Sequence, residues 1–400
     1  RHGPILSDVY EDLQNFDQRT RLELPKNYAI ALRWTALEPT TIFPAFWQAN
    51  KANNWQEFRT AMSHFDVPSQ NAIYADIEGN IGYQMPGKIP IRASGDGKYP
   101  VSGWTDEFEW TGYIPFEELP SAYNPQEAYI ASANNAVVGP EYPYLIASDW
   151  DYGNRARRIV EMIEHRDQPI DSAYLRRMQG DNKNLNAVEL VPILLQISGN
   201  EAKLRKAVDL LRKWDFQNHM DLAAPALFET FWKHLLAETF HDDFPQDYWP
   251  GGGGRWMYVM RRLIPKPDSY WWDNRNTTAK EKRDDIFRAA LEKAVDEMEK
   301  EQGSDPESWR WGKLHTTTFR NGTLGQSGIK VVERMLNRGP FPTSGGNAIV
   351  NATGYNIRHS FEVIDVPSMR MIVDLSDFNK SLVVHTTGQS GHAYHPHYID

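Results

Sequence analysis

Two pairs of neighbouring carboxylates are the first residues in this 400-residue sequence whose types and spacing could perform chemistry. Asp76 lies two positions before Glu78, and Asp106 directly precedes Glu107. A glycosidase uses one carboxylic acid and one carboxylate to cleave the bond between two sugars. Acidic pairs in loops are usually solvated, however, and nothing else in the sequence supports a catalytic role for these four residues.

Metal and phosphate sites are indicated only weakly. His392, His395 and His397 are close together near the end of the chain, but they lie in a loop-like stretch without helical or zinc-finger spacing. The glycine run from Gly251 to Gly254 is not followed by Lys-Ser or Lys-Thr, so it predicts a loop and not a phosphate cradle. The Gly-x-Ser-x-Gly motif of α/β-hydrolases is also absent.

Three further positions carry polar groups whose simplest explanation is structural. The pair Asn134-Asn135 by itself indicates a turn. Arg155 by itself indicates a surface arginine at the start of a helix. Asp149 would cap that helix from the preceding loop. A carboxylate is also a hard ligand that suits calcium, but one carboxylate is not a calcium site.

The composition excludes several classes of protein. Hydrophobic residues make up 40% and charged residues 24%, which is a normal globular balance and excludes disorder as the overall state. The formal net charge of -10 argues against non-specific nucleic-acid binding, which needs Lys and Arg to displace counterions. The longest apolar stretches are too short to cross a bilayer. Because there is no cysteine, disulfides and cysteine nucleophiles are excluded together.

The first part of the chain has the patterns of both helices and strands. Apolar residues at three- and four-residue spacing predict helices between Trp34 and Phe65, where Asn54 and Glu57 resemble a capping box. Alternating segments on both sides of Ile77-Glu78-Gly79 predict a β-hairpin. A short strand is predicted at Ala128–Ala131.

The rest of the chain is predicted to be helical and then strand-rich again. Helical apolar spacing recurs in five groups, which begin at Ile159, Leu190, Leu204, Leu227 and Ile286. Strands return after about Gly339, and residues 369–375 alternate with a period of two. Because strands and helices do not alternate regularly, the pattern predicts an α+β fold and not a doubly wound sheet. The predicted sections are residues 1–154, 155–338 and 339–400.

Six segments of the sequence resemble the penicillin acylase family of N-terminal-nucleophile hydrolases. In chain order they are Arg1–Ile5, Asn71–Tyr83, Tyr129–Asn135, Gly153–Ile159, Asn337–Phe341 and Thr387–Gly391. They keep the order and the rough spacing of the family from one end of the chain to the other. A single short match would be weak, but six matches in order are a specific signal.

The resemblance implies a fold and a maturation pathway. The fold is a four-layer αββα sandwich, here partial, with the mainly helical section as an insertion. The family's precursors cut themselves into a smaller and a larger chain, and the larger chain begins with a Ser whose own α-amine is the base. Because residue 1 here is Arg, we expect an internal fragment of the larger chain. That fragment would lack the Ser, the smaller chain and a continuation beyond Asp400, and we expect it to be inactive alone.

The resemblance also implies which residues form the site. Amide hydrolysis passes through a tetrahedral intermediate, and its oxyanion needs preorganised donors. One donor in the family is a side-chain amide that matches Asn134, and the other is a backbone N–H in the leading segment. Arg155 matches an arginine near the nucleophile that orients groups and stabilises charge. Ala133 replaces an aromatic residue of better-known members, which leaves the shape of the acyl pocket open.

Metal, location and partners are likewise implied by the family alone. Asp149 matches a position at which some members use a carboxylate to bind structural calcium. No organic cofactor is implied. The expected partners are a small-molecule amide and the smaller chain of the same precursor, with no nucleic acid and no membrane span. The expected location is periplasmic or extracellular.

The sequence therefore predicts an amidohydrolase that cleaves a linear amide into a carboxylic acid and an amine. The acyl group could be phenylacetyl-like, glutaryl-like or the fatty acyl chain of a homoserine lactone, because apolar pockets separate such groups by only about 1–3 kcal/mol per methylene. A carbohydrate-binding or glycoside-cleaving protein is the alternative that the 12% aromatic content suggests. A non-enzymatic relative is the third possibility.

Overall fold

The computed structural model describes residues 2–20, 23–24, 27–197 and 202–399. Arg1, the first residue of the first matching segment, and Asp400 lie outside these ranges. The chain forms two compact units, residues 1–150 and 151–400. Each unit has a hydrophobic core of its own. The division into three sections stays a prediction.

The first unit consists of short helices and short strands. Its α-helices are α1 (Phe16–Thr20), α2 (Ile42–Ala49) and α3 (Trp55–Met62). Its strands are β1 (Ala72–Ala75), β2 (Ile81–Gln84), β3 (Pro90–Arg92), β4 (Trp110–Tyr113) and β5 (Ser121–Tyr123). Single turns of 3₁₀ helix lie at Glu11–Leu13, Thr35–Leu37 and Phe116–Glu118. Strands β1, β2 and β5 form one antiparallel sheet in that order, and β3 pairs with β4.

Strands β1 and β2 form the hairpin that the sequence predicts around Ile77-Glu78-Gly79. The turn is closed by Asp76, whose carboxylate accepts hydrogen bonds from the backbone N–H groups of Glu78 and Asn80, both at 2.9 Å. The hydroxyl of Tyr74 donates to the same carboxylate at 2.8 Å. Asp76 is therefore accounted for as a turn residue.

Helix α3 packs closely on the same sheet because β2 has a glycine at the point of contact. A Cβ atom added to Gly82 in β2 would lie 2.4 Å from the ring of Trp55, and that ring is only 6% exposed. We expect Gly82→Ala to lower the free energy of unfolding of the full-length protein by about 1–3 kcal/mol, because the buried contact would be overpacked. Urea unfolding followed by Trp fluorescence would measure the loss.

The matched control for this prediction is a glycine in β4. A Cβ atom on Gly112 would meet nothing within 4 Å, so Gly112→Ala should leave the free energy of unfolding nearly unchanged. Equal losses from the two substitutions would show that the close approach of Trp55 does not determine the cost.

Two predictions for this unit need correction. The segment from Trp34 to Phe65 is α-helical only from Ile42, after the single 3₁₀ turn Thr35–Leu37, because Glu38 precedes a proline and takes an extended conformation with φ -94° and ψ 150°. The strand predicted at Ala128–Ala131 is wrong. Ala128 has a positive φ of 58°, and its N–H donates to the carbonyl of Pro125 at 3.0 Å in a turn.

The second unit carries most of the helices. Its α-helices are α4 (Asn154–Glu164), α5 (Ser172–Gln179), α6 (Leu185–Ile197), α7 (Ala202–Arg212), α8 (Ala223–Phe240), α9 (Gly254–Leu263), α10 (Arg283–Gln302), α11 (Trp311–Leu314) and α12 (Lys330–Leu336). Its strands are β6 (Thr316–Phe319), β7 (Arg338–Pro342), β8 (Gly354–Asn356), β9 (Ser360–Asp365), β10 (Met369–Ile372) and β11 (Leu382–His385). Single turns of 3₁₀ helix lie at Gln246–Tyr248, Tyr270–Trp272, Pro306–Ser308, Phe378–Lys380 and Pro396–Tyr398. The strands form three antiparallel pairs, β6 with β7, β8 with β9, and β10 with β11.

Helix α8 lies at the centre of the helical core and is apolar on nearly all sides, as expected of a buried helix. Trp232 is completely buried, and the ring of Phe231 contacts that of Phe287 in α10 at 5.7 Å between centroids. The five groups of helical spacing are confirmed as α4, α6, α7, α8 and α10. In the part of the chain that the structure describes, no helix is long and apolar enough to cross a membrane.

The sequence missed helices α5 and α9, and it predicted the late strand only in part. Helix α9 begins inside the glycine run, at Gly254, where low helical propensity hides its start. The period of two in residues 369–375 is confirmed as β10, which ends at Ile372. Met369 and Met371 on that strand are 63% and 51% exposed, and it is Ile372 that is buried.

Candidate active site

Asn134 lies in a bend of the first unit, in an exposed position. Its φ of 65° is in the left-handed region, which Asn adopts more readily than most other residues with a side chain. The neighbouring Asn135 uses its own amide within the bend. Its Oδ1 accepts from the N–H of Ala133 at 3.0 Å, and its Nδ2 donates to the carbonyl of Ala136 at 3.0 Å. Asn135 therefore shapes the bend, and Asn134 is the more exposed of the two asparagines.

The bend is connected to the β1-β2-β5 sheet by side-chain hydrogen bonds. The hydroxyl of Tyr83 in β2 donates to Oδ1 of Asn71 at 2.6 Å. The Nδ2 of Asn71 in turn donates to Oγ of Ser132 at 3.0 Å. Ile130 and Val137, on either side of the bend, pack against the core of the same unit. The segment that carries Asn134 is thus attached to the sheet at several points.

Arg155 lies in the first turn of α4, in the second unit. The turn is entered through Gly153, which has a φ of 83° and offers no side chain as a cap. Asp151, two positions before Gly153, contacts this turn: one oxygen of its carboxylate accepts from the N–H of Gly153 at 2.9 Å, and the other pairs with the Arg155 guanidinium at 3.1 Å. Asp151 therefore helps to organise this helix start, and the capping role suggested for Asp149 stays a prediction.

The next two arginines of α4 pair with carboxylates elsewhere in the second unit. Arg158 makes two hydrogen bonds of 3.0 Å to the carboxylate of Asp181, and these bonds raise its pKa. Arg157 pairs with Glu189 of α6 at 3.1 Å. Arg155 differs from both in pairing with a residue of the loop that enters its own helix. Asn134 and Arg155 belong to different units, and the expectation that both lie beside the reacting centre stays a prediction.

Asp149 is an exposed loop residue of the first unit. Calcium takes six to eight oxygen ligands, and among the described residues no three His, Cys, Asp or Glu side chains are grouped so that they could hold a metal ion. A single exposed carboxylate does not fit calcium by itself, so a role for Asp149 in metal binding stays a prediction.

The histidines near the end of the chain belong to a turn. His395 accepts a hydrogen bond from the N–H of His397 at 3.1 Å, as a turn residue does.

A cleft of about 620 Å³ in the first unit is the place where a sugar could be held by aromatic rings. Tyr123 stacks on Trp55 there, with 5.4 Å between ring centroids and 13° between the planes. The carboxylate in its lining, that of Glu117, forms an ion pair of 2.6 Å with Arg59. A glycosidase needs two carboxylates on opposite sides of the bond, and the lining of this cleft does not provide that pair.

The helices and small antiparallel sheets of this chain form the fold of an N-terminal-nucleophile hydrolase. The chain is structurally similar to a thermostable penicillin G acylase from Alcaligenes faecalis, with a TM-score of 0.54 and 24% sequence identity, over 68% of this chain and 53% of that one. The family model of penicillin amidase matches residues 1–400, and the chain belongs to that family. The resemblance found in the six segments and the α+β fold class are both confirmed.

Two curated relatives illustrate the range of the family. The acyl-homoserine lactone acylase QuiP of Pseudomonas aeruginosa is 27% identical over 434 residues, which cover 100% of this chain and 50% of that protein. The penicillin G acylase of Escherichia coli is 26% identical over 353 residues, which cover 79% of this chain and 40% of that protein. This chain spans about half the length of the curated relatives that it matches.

Proposed function

We propose that the protein containing this chain is an amidohydrolase that cleaves the linear amide of an N-acylated compound. The observation that carries the proposal is the match of the penicillin amidase family to all 400 residues. The bend at Asn134 supports it, because an exposed residue with a side-chain amide is of the type that donates to an oxyanion. The products would be a carboxylic acid and an amine.

The proposed reaction is an acyl transfer in two steps. The hydroxyl of an N-terminal Ser of the larger chain attacks the carbonyl carbon, and the α-amine of that Ser takes the proton and passes it to the leaving amine. Water then hydrolyses the acyl-enzyme. In both steps the Asn134 amide would donate to the oxyanion, together with a backbone N–H from the leading segment. This Ser and this N–H would lie upstream of Arg1.

Arg155 would stabilise charge and orient groups beside the nucleophile. Its ion pair with Asp151 supports this role, because the pair fixes the guanidinium relative to the first turn of α4. Side chains that are held in place before substrate arrives need no reorganisation during the reaction. The proposal also includes self-cleavage of a precursor, assembly with its smaller chain and a periplasmic or extracellular location, for which family membership is the support. Structural calcium at Asp149 is proposed on the same basis.

N-acyl homoserine lactones are the substrates that we place first. The support is that a relative named for this activity is 27% identical over the whole chain, whereas a relative named as a penicillin acylase that also covers the whole chain is 23% identical. Release of homoserine lactone from acyl chains of several lengths, and of phenylacetate from penicillin G, should be measured with the full-length protein. We expect saturable turnover with at least one of these substrates.

Two controls determine how the measured turnover is interpreted. Replacing the proposed N-terminal Ser by Ala should abolish turnover, and a protein of residues 1–400 alone should have none, because nucleophile and base would both be absent. Turnover by residues 1–400 that Asn134→Ala abolishes would contradict the proposed position of the nucleophile. Absence of turnover with every N-acyl substrate would favour a non-enzymatic relative.

A further inference from the structure

We propose that Tyr83 and Asn71 are positioning residues that hold the bend of residues 132–135, so that Asn134 presents its amide in the geometry of an oxyanion donor. The inference rests on the proposed function, because it concerns the same amide. Neither residue would touch the substrate. Their effect would be transmitted through Ser132, which lies two positions before Asn134 in the chain.

The hydrogen bonds that carry this inference connect distant parts of the sequence. Tyr83 donates to Asn71 across 12 positions at 2.6 Å, and Asn71 donates to Ser132 across 61 positions at 3.0 Å. The Tyr83 ring is only 8% exposed and belongs to the core of the first unit. Burial raises the pKa of its hydroxyl to about 12, so the hydroxyl remains a donor at any physiological pH.

The bend needs such support because its backbone is not in a regular element. Ile130 and Val137 attach its two ends to the core by apolar contacts; between them Ala133 is buried, and Asn135 bonds to Ala133 and Ala136 of the bend itself. The bond from Asn71 to Ser132 acts inside that interval. A hydrogen bond weakens steeply when its angle or length departs from the optimum, so a small rotation of the bend would weaken donation to an oxyanion.

A purely structural role for Tyr83 is the competing explanation, and Tyr74 provides the matched control. Tyr74 lies in the neighbouring strand β1, is also 8% exposed, and has a pKa raised to about 12 by burial and by its bond to Asp76. Its hydroxyl donates at 2.8 Å to Asp76, in the hairpin turn. The two tyrosines are therefore alike in burial and bonding, and only Tyr83 is connected to the bend.

The test compares Tyr83→Phe, Asn71→Ala and Tyr74→Phe in the full-length protein, with kcat, KM and urea unfolding measured for each. We expect Tyr83→Phe and Asn71→Ala each to lower kcat roughly three- to tenfold, the factor that corresponds to one net hydrogen bond, with little change in KM. The double variant should lose no more than the larger single loss, because both residues act through one connection. Tyr74→Phe should lower stability and leave kcat unchanged.

The conservative variant Asn71→Asp tests whether the lost kcat can be recovered. Asn71→Asp keeps one oxygen for the Tyr83 hydroxyl and offers the second to the hydroxyl of Ser132, so it should recover most of the kcat that Asn71→Ala loses. Because Asn71 is itself exposed, its variants should fold even where Tyr83→Phe does not.

The possible failures are distinguishable. An equal loss of kcat in Tyr74→Phe and Tyr83→Phe, or no loss in both Tyr83→Phe and Asn71→Ala, would overturn the positioning role. If Asn134→Gly keeps a normal kcat, the assignment of the oxyanion donor fails, and the positioning role fails with it. If Asn134→Gly abolishes most of the activity while Tyr83→Phe and Asn71→Ala have no effect, only the positioning role is overturned.

Discussion

Asn134→Gly in the full-length protein should lower kcat roughly 10²–10³-fold, with a smaller change in KM. An oxyanion donor interacts with charge that develops in the transition state, so its loss affects the chemical step more than substrate binding. Glycine is the informative replacement because Asn134 has a φ of 65°. Glycine adopts this conformation without strain, so the substitution removes the amide and leaves the backbone as it is.

Two aspartate variants separate the amide from its surroundings. Asn134→Asp tolerates the left-handed backbone but places a carboxylate where negative charge develops, so it should be at least as damaging as Asn134→Gly. Asn135→Asp makes the same chemical change one residue away. It keeps the oxygen that accepts from the N–H of Ala133 and loses the bond from Nδ2 to the carbonyl of Ala136, so its kcat should fall far less than that of Asn134→Asp. Ala at position 134 is less informative, since it adds backbone strain.

The opposite result would have a clear structural meaning. If processed Asn134→Gly protein retained a normal kcat, Asn134 would be a residue suited only to its left-handed backbone, which is the ordinary explanation of an asparagine in a turn. Processing must be followed separately by the appearance of the two chains. Self-cleavage is an acyl transfer at the same centre, so a variant that remains uncleaved would show no turnover for that reason alone.

The elements that the sequence predicted correctly depend on short-range patterns. The hairpin at Ile77-Glu78-Gly79 follows from a polar turn between alternating segments, and the N-cap at Asn54 is confirmed, with its side chain accepting from the N–H of Glu57 at 3.0 Å. Helix α8 was predicted from the helical spacing of its apolar residues. The failures come where one local signal conceals another, as at Glu38, where a following proline prevents a helix, and at Gly254, where glycines conceal the start of α9.

The site could be predicted only as far as its motifs extend. Asn134 and Arg155 were predicted because each lies in a segment that resembles the family, and their roles stay predictions. Asp151 was missed because its two hydrogen bonds, to Gly153 and Arg155, do not form a recognisable motif. The connection from Tyr83 to Ser132 through Asn71 was missed for a different reason. It joins residues 12 and 61 positions apart, and one sequence without structure gives no signal for such a pair.

The hydrogen-bond partners of Glu229 could not be predicted from the sequence either. The apolar spacing predicts only that Glu229 lies in helix α8. Glu229 is 1% exposed. It accepts hydrogen bonds from Asn184 at 2.9 Å, from Asn218 at 2.8 Å and from the hydroxyl of Tyr355 at 2.6 Å. Tyr355 is 126 positions away in sequence. Burial raises the pKa of Glu229 to about 7, although the three donors act in the opposite direction.

Glu229→Leu should therefore destabilise the second unit by on the order of 3–5 kcal/mol. Leucine fills part of the space but leaves three buried donors without an acceptor, and each unsatisfied group costs about 1–3 kcal/mol. Glu229→Gln keeps an acceptor oxygen for the two asparagines and should cost much less. The control in the same helix is Thr230→Val, since the Thr230 hydroxyl donates only to acceptors that do not depend on it, the carbonyl of Ala226 and the sulfur of Met298.

The pH dependence of stability gives an independent test of the same residue. Because the folded pKa of Glu229 lies above its unfolded value of 4.5, its contribution to stability is complete below pH 4.5 and is lost as the pH rises through about 7. His315 has the opposite sign. Burial lowers its pKa from 6.5 to about 4, so its contribution is complete above pH 6.5 and is lost as the pH falls through about 4.

The contributions of Glu229 and His315 to stability change in opposite directions between pH 4.5 and 6.5. A substitution at Glu229 should separate them. In Glu229→Gln, stability should increase from pH 4 to 6.5 and then level off, as expected from His315 and from His241, whose pKa burial also lowers from 6.5. The unchanged protein should vary less over that range and should lose stability between pH 6.5 and 7.5, as Glu229 ionises. Hydrogen exchange of the α8 amides, measured across this pH range, reports the local free energy of opening. Parallel profiles for Glu229→Gln and the unchanged protein would show that Glu229 is ionised in the core throughout, with its three donors outweighing the effect of burial.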